Sequence, residues 1–255
     1  MKSLLRCLAV AALLLAGPAW AVSPLDGARQ VVVVTSEGWN STQGRLQAFA
    51  RTDHGWKPEG AAFDVALGRS GSAWGIGLHP ATDALPSKRE GDGRSPAGVF
   101  ALGTAFGYAA QADTALPWQP MQESSYCMDV PDSPYYNRFV DAGRVGAEAV
   151  EGSTEPMRLD LHNHGDVRYQ QGFVINHNPR NVPGQGSCIF AHLWRREGEA
   201  TAGCTAMTAA HMHQLLAWLD PRSAPVFVLL PRDEYARLQQ AWQLPALPAA
   251  NGHAR

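Results

Sequence analysis

Short apolar stretches separated by turn residues dominate the chain. The β-branched run at Gln30–Thr35 predicts a buried strand, and the alternation of apolar and polar positions at Gly44–Arg51 predicts a half-buried one. Six further segments have the length and composition of strands: Phe63–Leu67, Val99–Leu102, Met157–Leu161, Gly172–Asn176, Cys188–His192 and Pro225–Leu230. The 18 Pro and 25 Gly residues imply many turns. The pattern therefore predicts a core of antiparallel sheet.

Only two segments have a helical pattern. Ala209–Leu219 follows Thr208, whose hydroxyl can cap the helix N-terminus, and Arg232–Trp242 has one apolar face. The chain from Pro245 to its end is predicted to be a loose tail. No linker, repeat or low-complexity segment divides the chain. We therefore expect one mainly β domain with a few peripheral helices.

The first 21 residues have the pattern of a secretory signal peptide. Lys2 and Arg6 give a basic start, Leu8–Ala16 is a short apolar run, and residues 19–21 (A-W-A) form a small-x-small cleavage site. The apolar run is too short for a membrane anchor, and no other stretch predicts a membrane span. We therefore expect an exported protein, in the periplasm or cell envelope, whose mature chain begins near residue 22.

The charge pattern disfavours two classes of partner. Without Lys2 and Arg6 the formal net charge of -2 becomes -4 (two positive charges fewer), and the chain has no basic block. A protein of this kind is not expected to bind nucleic acid or an anionic membrane surface.

Neither a metal nor an organic cofactor is predicted. His162 and His164 lie two apart on a predicted strand and His177 follows on the next, but no Cys or carboxylate stands at a familiar ligand spacing with them. The glycine-rich segment Gly68–Gly77 lacks the Lys-Ser/Thr of a phosphate-binding loop. It is predicted to be a bent connection beside a cleft.

Candidate chemistry is concentrated in Cys188–Met207. His192 ends an apolar run, a polar loop follows, and residues 201–203 (T-A-G) remove bulk just before Cys204. A His and a Cys twelve residues apart can meet if the loop folds back. An imidazole within hydrogen-bond reach would convert the thiol to a thiolate, which is the attacking species. The alternative is a small buried thiol and a structural histidine.

Two segments resemble the L,D-transpeptidase (YkuD-type) family of bacterial envelope enzymes. Residues 201–207 (T-A-G-C-T-A-M) fit the family's frame of S/T-x-G-C, then an apolar residue, x, and Met or Leu. Residues 95–100 (S-P-A-G-V-F) are similar to its T-P-x-G-x-F/Y stretch. Residues 74–79 and 88–93 resemble a branch in which the catalytic domain makes up nearly the whole mature chain.

The resemblance covers roughly residues 29–231 and implies a fold. We expect a β-sandwich or barrel-like catalytic domain at residues 22–231. A C-terminal helix and tail are expected at residues 232–255.

The resemblance also implies acyl transfer on peptidoglycan stem peptides without a cofactor. Cys204, deprotonated by His192, would attack the carbonyl of the third stem residue, and the backbone at Gly203 and Cys204 would hold the oxyanion. A second stem's amine would then take the acyl group and form a cross-link. If water attacked instead, the protein would be an L,D-carboxypeptidase or endopeptidase. A third hypothesis is a non-catalytic wall-binding module, which retention of both reactive residues disfavours.

Two positions depart from the commoner form of the family. Ala202 stands where a His is usual, and Ala206 stands where an Arg is usual. Arg195 or Arg196 on the adjoining loop could supply the missing cation. The candidate substrate contacts are Thr201, Arg195 and His79.

Three cysteines remain once the predicted signal peptide is removed. An oxidising compartment favours disulfides. If Cys204 is kept free for catalysis, Cys127 and Cys188 are left to pair with each other. Two alternatives are open: independent buried thiols, or a Cys188–Cys204 bond that would make the enzyme redox-switched.

Overall fold

The fold is built mainly of β-strands. The structure is a computed structural model that describes residues 23–247, so the predicted signal peptide lies outside the described residues. Strands account for 35% and helices for 16% of the described residues, which confirms the prediction of a mainly β fold with few helices. No helix within residues 23–247 has the length and apolar character needed to cross a membrane.

The elements of the described residues are numbered in chain order. The strands are β1 (Gln30–Ser36), β2 (Gln43–Thr52), β3 (Gly55–Ala66), β4 (Ser72–Trp74), β5 (Ser95–Gly107), β6 (Trp118–Pro120), β7 (Ser125–Cys127), β8 (Phe139–Asp141), β9 (Glu155–Pro156), β10 (Gln171–Ile175), β11 (Phe190–Leu193), β12 (Thr205–Met207) and β13 (Val226–Pro231). The α-helices are α1 (Ala142–Val145), α2 (Leu159–His162), α3 (Ala209–Trp218) and α4 (Arg232–Trp242). Short 3-10 helices occupy Ala147–Val150 and Pro221–Ser223.

The main sheet closes on itself. Its strand order is β10-β11-β12-β3-β2-β1-β13-β5, and β10 also pairs with β5, which completes a barrel-like ring. Most pairings are antiparallel, but β1–β13 and β11–β12 are parallel. The short strands β4 and β6 pair with β5 outside this ring. The barrel-like architecture expected from the family resemblance is confirmed.

The apolar run of β1 lies at the centre of the core. Val31–Val34 are at most 1% exposed because β2 and β13 flank the strand and helices cover the sheet. Strands buried on both faces have continuous apolar runs, as this one does. Tyr235 and Leu238 of α4 belong to the same hydrophobic core.

Both predicted helices are confirmed. Helix α4 has the predicted bounds, and α3 ends one residue early. The Thr208 side chain accepts a hydrogen bond from His211 N–H at 3.2 Å, as expected of an N-cap.

The strand predicted at Met157–Leu161 is wrong. Residues Leu159–His162 form the short helix α2, in which Leu159 is buried but Leu161 is 51% exposed. An alternating pattern of apolar residues suits a strand only if all of them face the core, and Leu161 does not. His162 therefore ends a helix, and His164 lies in a turn with φ near 50°, so they do not share a strand face.

The other predicted strands differ from the observed ones in their bounds, and the predicted tail differs as well. The predicted segment Phe63–Leu67 contains only the end of the long strand β3, which stops at Ala66 and whose exposed first half has no apolar pattern. The tail is not loose where it is described, since the Pro245 carbonyl accepts hydrogen bonds from Tyr235 Oη at 2.8 Å and Gln239 Nε2 at 2.9 Å. The domain boundaries predicted near residues 21 and 231 stay predictions.

A small second sheet lies between β6 and β10 in the chain. Its order is β8-β7-β9, and we call residues 121–169 the insert. A disulfide joins Cys127, at the end of β7, to Cys188, just before β11. This is the pairing that the sequence favoured, and Cys204 is the free cysteine of the described residues. The bond fixes the insert against the strand that carries His192.

Candidate active site

Two parallel strands bring His192 and Cys204 to the same cavity. His192 lies in β11 opposite Ala206 of β12, and Cys204 directly precedes β12. The loop between the two strands therefore folds back, as it must if a His and a Cys twelve residues apart are to meet. Both side chains line a cavity of about 530 Å³. Cys204 is 7% exposed and His192 is 3% exposed, so both are shielded from bulk solvent.

A hydrogen-bonded turn presents Cys204. The hydroxyls of Thr201 and Ser95 both donate to the Cys204 carbonyl oxygen, at 2.6 and 3.1 Å. A side chain at Gly203 would place its Cβ 3.0 Å from the Arg94 carbonyl oxygen, so only glycine packs freely at this position. The turn therefore fixes the backbone on both sides of the thiol.

The same turn decides which N–H groups can hold an oxyanion. Gly203 N–H donates to Thr201 Oγ1 at 3.1 Å, so it already has a partner, and the oxyanion role proposed for Gly203 stays a prediction. Outside the strand ladders, none of the hydrogen bonds within residues 23–247 uses the Cys204 N–H. The Cys204 N–H is the donor that remains for this role.

The thiol of Cys204 is neutral at ordinary pH. Its sulfur accepts a hydrogen bond from Phe190 N–H at 3.3 Å and lies 3.6 Å from the Cys188 carbonyl oxygen, to which the S–H donates. Burial, with a smaller contribution from the charge of Glu155, raises the pKa of the thiol to about 12. The structure thus differs from the sequence-based expectation of a preformed thiolate, because desolvation outweighs the Phe190 hydrogen bond.

His192 is oriented by a backbone carbonyl. Its Nδ1 lies 2.7 Å from the Leu193 carbonyl oxygen, which only accepts, so Nδ1 carries the proton and Nε2 keeps its lone pair. The Tyr169 ring meets the imidazole edge to face at 5.3 Å. Burial lowers the pKa of His192 to about 4, and this effect outweighs the hydrogen bond to Leu193, which raises the pKa. The histidine is therefore a neutral base.

A pH profile of thiol alkylation checks this resting state. We expect the rate at which iodoacetamide modifies Cys204 to rise about tenfold per pH unit from pH 7 to 10, because the thiolate fraction is still growing below the pKa. Intact-mass kinetics would measure it, with Cys204→Ala as the unlabelled control. A plateau below pH 7 would instead show a preformed thiolate–imidazolium pair.

The cavity wall carries charges of both signs. The cationic side chains are Arg69, Lys88 and Arg168, and the acidic ones are Glu90, Asp129 and Glu155. Sequence reasoning missed all six as site residues. Three of them, together with Tyr169, come from the insert, whose position beside the thiol follows from the Cys127–Cys188 bond.

Arg168 is a cation whose backbone contacts the strand that carries His192. Its Nε lies 2.9 and 3.0 Å from the two carboxylate oxygens of Asp166, and its Nη2 lies 2.8 Å from one of them. Leu193 N–H donates to the Arg168 carbonyl at 3.0 Å. Arg168 also lines a second, smaller cavity that His192 and Ala206 share. In the sequence, the only sign of this ion pair is that Asp166 and Arg168 carry opposite charges and lie two residues apart.

The cations proposed from the sequence lie on the exposed loop. Arg195 and Arg196 both pair with Glu199, and Arg195 borders only the smaller cavity. Thr201 lines the main cavity, although its hydroxyl is occupied by the turn. Arg168 is thus better placed than either loop arginine to replace the cation missing at Ala206.

His79 is part of the core rather than the cavity wall. Its Nδ1 accepts from Val99 N–H at 3.0 Å, its Nε2 lies 3.2 Å from the Gly75 carbonyl oxygen, and its ring packs against Trp74 and Trp242. It is not among the described residues that line the cavity. Backbone groups already occupy both ring nitrogens, and the substrate contact proposed for His79 stays a prediction.

Comparison with known proteins gives one result. A family model described as the L,D-transpeptidase catalytic domain (YkuD) matches residues 39–228, which is most of the chain and includes His192 and Cys204. No curated protein and no solved structure matches the chain.

Proposed function

The chain belongs to the L,D-transpeptidase catalytic domain (YkuD) family, and on this premise we propose that it is an exported cysteine acyltransferase that cross-links the stem peptides of peptidoglycan. One observation carries the proposal. Cys204 and an oriented, neutral His192 line one cavity of about 530 Å³. A thiol and a free imidazole nitrogen that share one cavity are the groups that nucleophilic acyl transfer needs.

In the first half-reaction Cys204 Sγ attacks the carbonyl of the third stem residue. His192 Nε2 takes the thiol proton during the attack, so a thiolate never has to accumulate in a cavity that disfavours it. The Cys204 N–H holds the oxyanion. His192 then gives the proton to the amine of the departing terminal D-residue, and a thioester remains on Cys204.

In the second half-reaction an amine from another stem attacks the thioester. The C–N bond forms, the C–S bond breaks, and the thiol of Cys204 is restored. Arg168 is placed to bind a carboxylate of the substrate, since its guanidinium is held by Asp166 at the wall of both cavities. It takes the place of the cation missing at Ala206.

Export rests on two features of the chain. The signal pattern of residues 1–21 lies outside the described residues. The Cys127–Cys188 disulfide is typical of an oxidising compartment. Both support a location in the periplasm or cell envelope, where the polymer lies.

Product analysis tests the proposal. The purified protein is incubated with wall fragments that carry tetrapeptide stems, and the products are identified by mass. We expect cross-linked dimers to outweigh trimmed tripeptides, with Cys204→Ala as the inactive control. Tripeptides alone, even at high acceptor concentration, would make the protein a carboxypeptidase, and unchanged fragments would contradict both activities.

A further inference from the structure

Glu155 is a titratable group of the cavity that the mechanism above does not use. Glu155 of β9 lines the same cavity as Cys204 and His192. Its carboxylate accepts a hydrogen bond from the hydroxyl of Tyr169, whose ring packs against His192. Glu155 pairs with Cys127 in the small sheet, and Cys127 is bonded to Cys188 beside the thiol. The fold therefore holds this carboxyl firmly at the reaction site.

The surroundings of Glu155 leave it able to gain or lose a proton near neutral pH. Burial raises its pKa to about 7, and the charges of Asp129 and Glu90 raise it as well. The hydrogen bond from Tyr169 and the charge of Arg168 act in the opposite direction. A carboxyl with such a pKa exchanges protons readily at pH 7, as a general base requires.

This carboxyl does not help the first half-reaction. The negative charge of Glu155 raises the pKa of Cys204, so it disfavours the attacking thiolate. Because the Glu155 carboxylate hinders the first half-reaction, a catalytic role for it must lie in the second. The second half-reaction brings a substrate of the opposite charge.

The acceptor amine reaches the site as an ammonium ion. A primary alkyl amine has a pKa near that of lysine, about 10.4, so only about one molecule in 2,500 is neutral at pH 7. An ammonium has no lone pair and cannot attack the thioester. His192 serves the proton that the amine loses during its attack, so the first proton of the ammonium needs another acceptor.

We propose that Glu155 receives the acceptor: its carboxylate binds the ammonium group and takes one proton, leaving a neutral amine to attack the Cys204 thioester. The inference rests on the proposed function and assigns its second half-reaction. The amine's first proton moves to Glu155 and later to solvent. Its second proton passes through His192 to the departing sulfur, which restores the thiol as the amide bond forms.

The test separates the two half-reactions in the full-length protein. Glu155→Gln keeps an oxygen that accepts from Tyr169 but removes the charge and the basicity. Formation of the acyl-enzyme from a tetrapeptide donor is followed by intact mass. Transfer to an alkyl amine acceptor is followed by the ratio of cross-linked to hydrolysed product. Glu151→Gln is the matched control, since Glu151 is an exposed carboxylate of the same segment.

We expect Glu155→Gln to form the acyl-enzyme and to transfer it to an alkyl amine about a hundredfold more slowly than the parent protein, the ordinary effect of losing a general base. Hydroxylamine, which is neutral at pH 7, should accept the acyl group from both proteins at similar rates. Glu155→Asp, which keeps the carboxylate, should retain part of the transfer to the alkyl amine and serves if the Gln variant does not fold.

Three results would overturn the inference. Transfer to the alkyl amine at the parent rate would show that the carboxyl has no role in it. An equal loss of acylation and transfer would show that Glu155 acts on the thiol or on the fold. If the parent protein formed no acyl-enzyme at all, the proposed function itself would fail, and this inference with it.

Discussion

Cys204→Ala is expected to abolish acyl transfer while the protein stays folded. Alanine removes only the Sγ atom, whose partners are Phe190 N–H and the Cys188 carbonyl, so the loss of stability should be small, on the order of 1 kcal/mol. Without the sulfur no thioester can form. The rate of D-residue release from a tetrapeptide donor measures the effect.

His192→Gln should lower the same rate by about a hundredfold or more, since it removes the general base. His213→Gln is its matched control, because His213 is an exposed histidine on α3. If Cys204→Ala still released the D-residue at the parent rate, another nucleophile would have to be sought.

Removing the Cys127–Cys188 disulfide should have the largest effect on stability. The bond closes a loop with a sequence separation of 61 residues. The chain-entropy relation gives a loss of about 4 kcal/mol in the free energy of unfolding for the double variant Cys127→Ala, Cys188→Ala. Denaturant unfolding would measure the shift.

The matched control for this effect is chemical reduction. A reductant should destabilise the parent protein and leave the double variant unchanged. Activity should fall as well, because Cys188 contributes the carbonyl beside the thiol, and β9, which carries Glu155, pairs with Cys127. Equal unfolding midpoints for the parent protein and the double variant in the absence of reductant would show that the bond does not stabilise the protein.

The sequence predicted those parts of the fold in which local pattern and tertiary role agree. The run in β1 is apolar throughout because both faces of the strand are buried. The cap of α3 is local, because the Thr208 hydroxyl accepts from the N–H of His211, three residues further along the chain. The prediction of a strand at Met157–Leu161 was wrong because periodicity alone cannot show that Leu161 is exposed. The exposed half of β3 had no apolar pattern to reveal it.

The candidate site was only partly accessible from the sequence. Cys204 and His192 are near each other in the chain and carry a motif, and the structure places both on one cavity. Glu155, Tyr169 and Arg168 carry no motif and reach the cavity through the fold of the insert. The pKa shifts of the thiol and the imidazole come from burial, which depends on the whole tertiary structure.

The position of β13 has a consequence for the order of folding. This strand lies between β1 and β5, and Val31 pairs with Val226 across nearly the whole length of the chain. Contacts between such distant residues form slowly, and the ring of strands cannot close until the last of them has been synthesised. A chain that stops before Val226 would leave the facing edges of β1 and β5 unpaired. Unpaired edges attract strands of other molecules, so incomplete chains should aggregate rather than accumulate as smaller folded units.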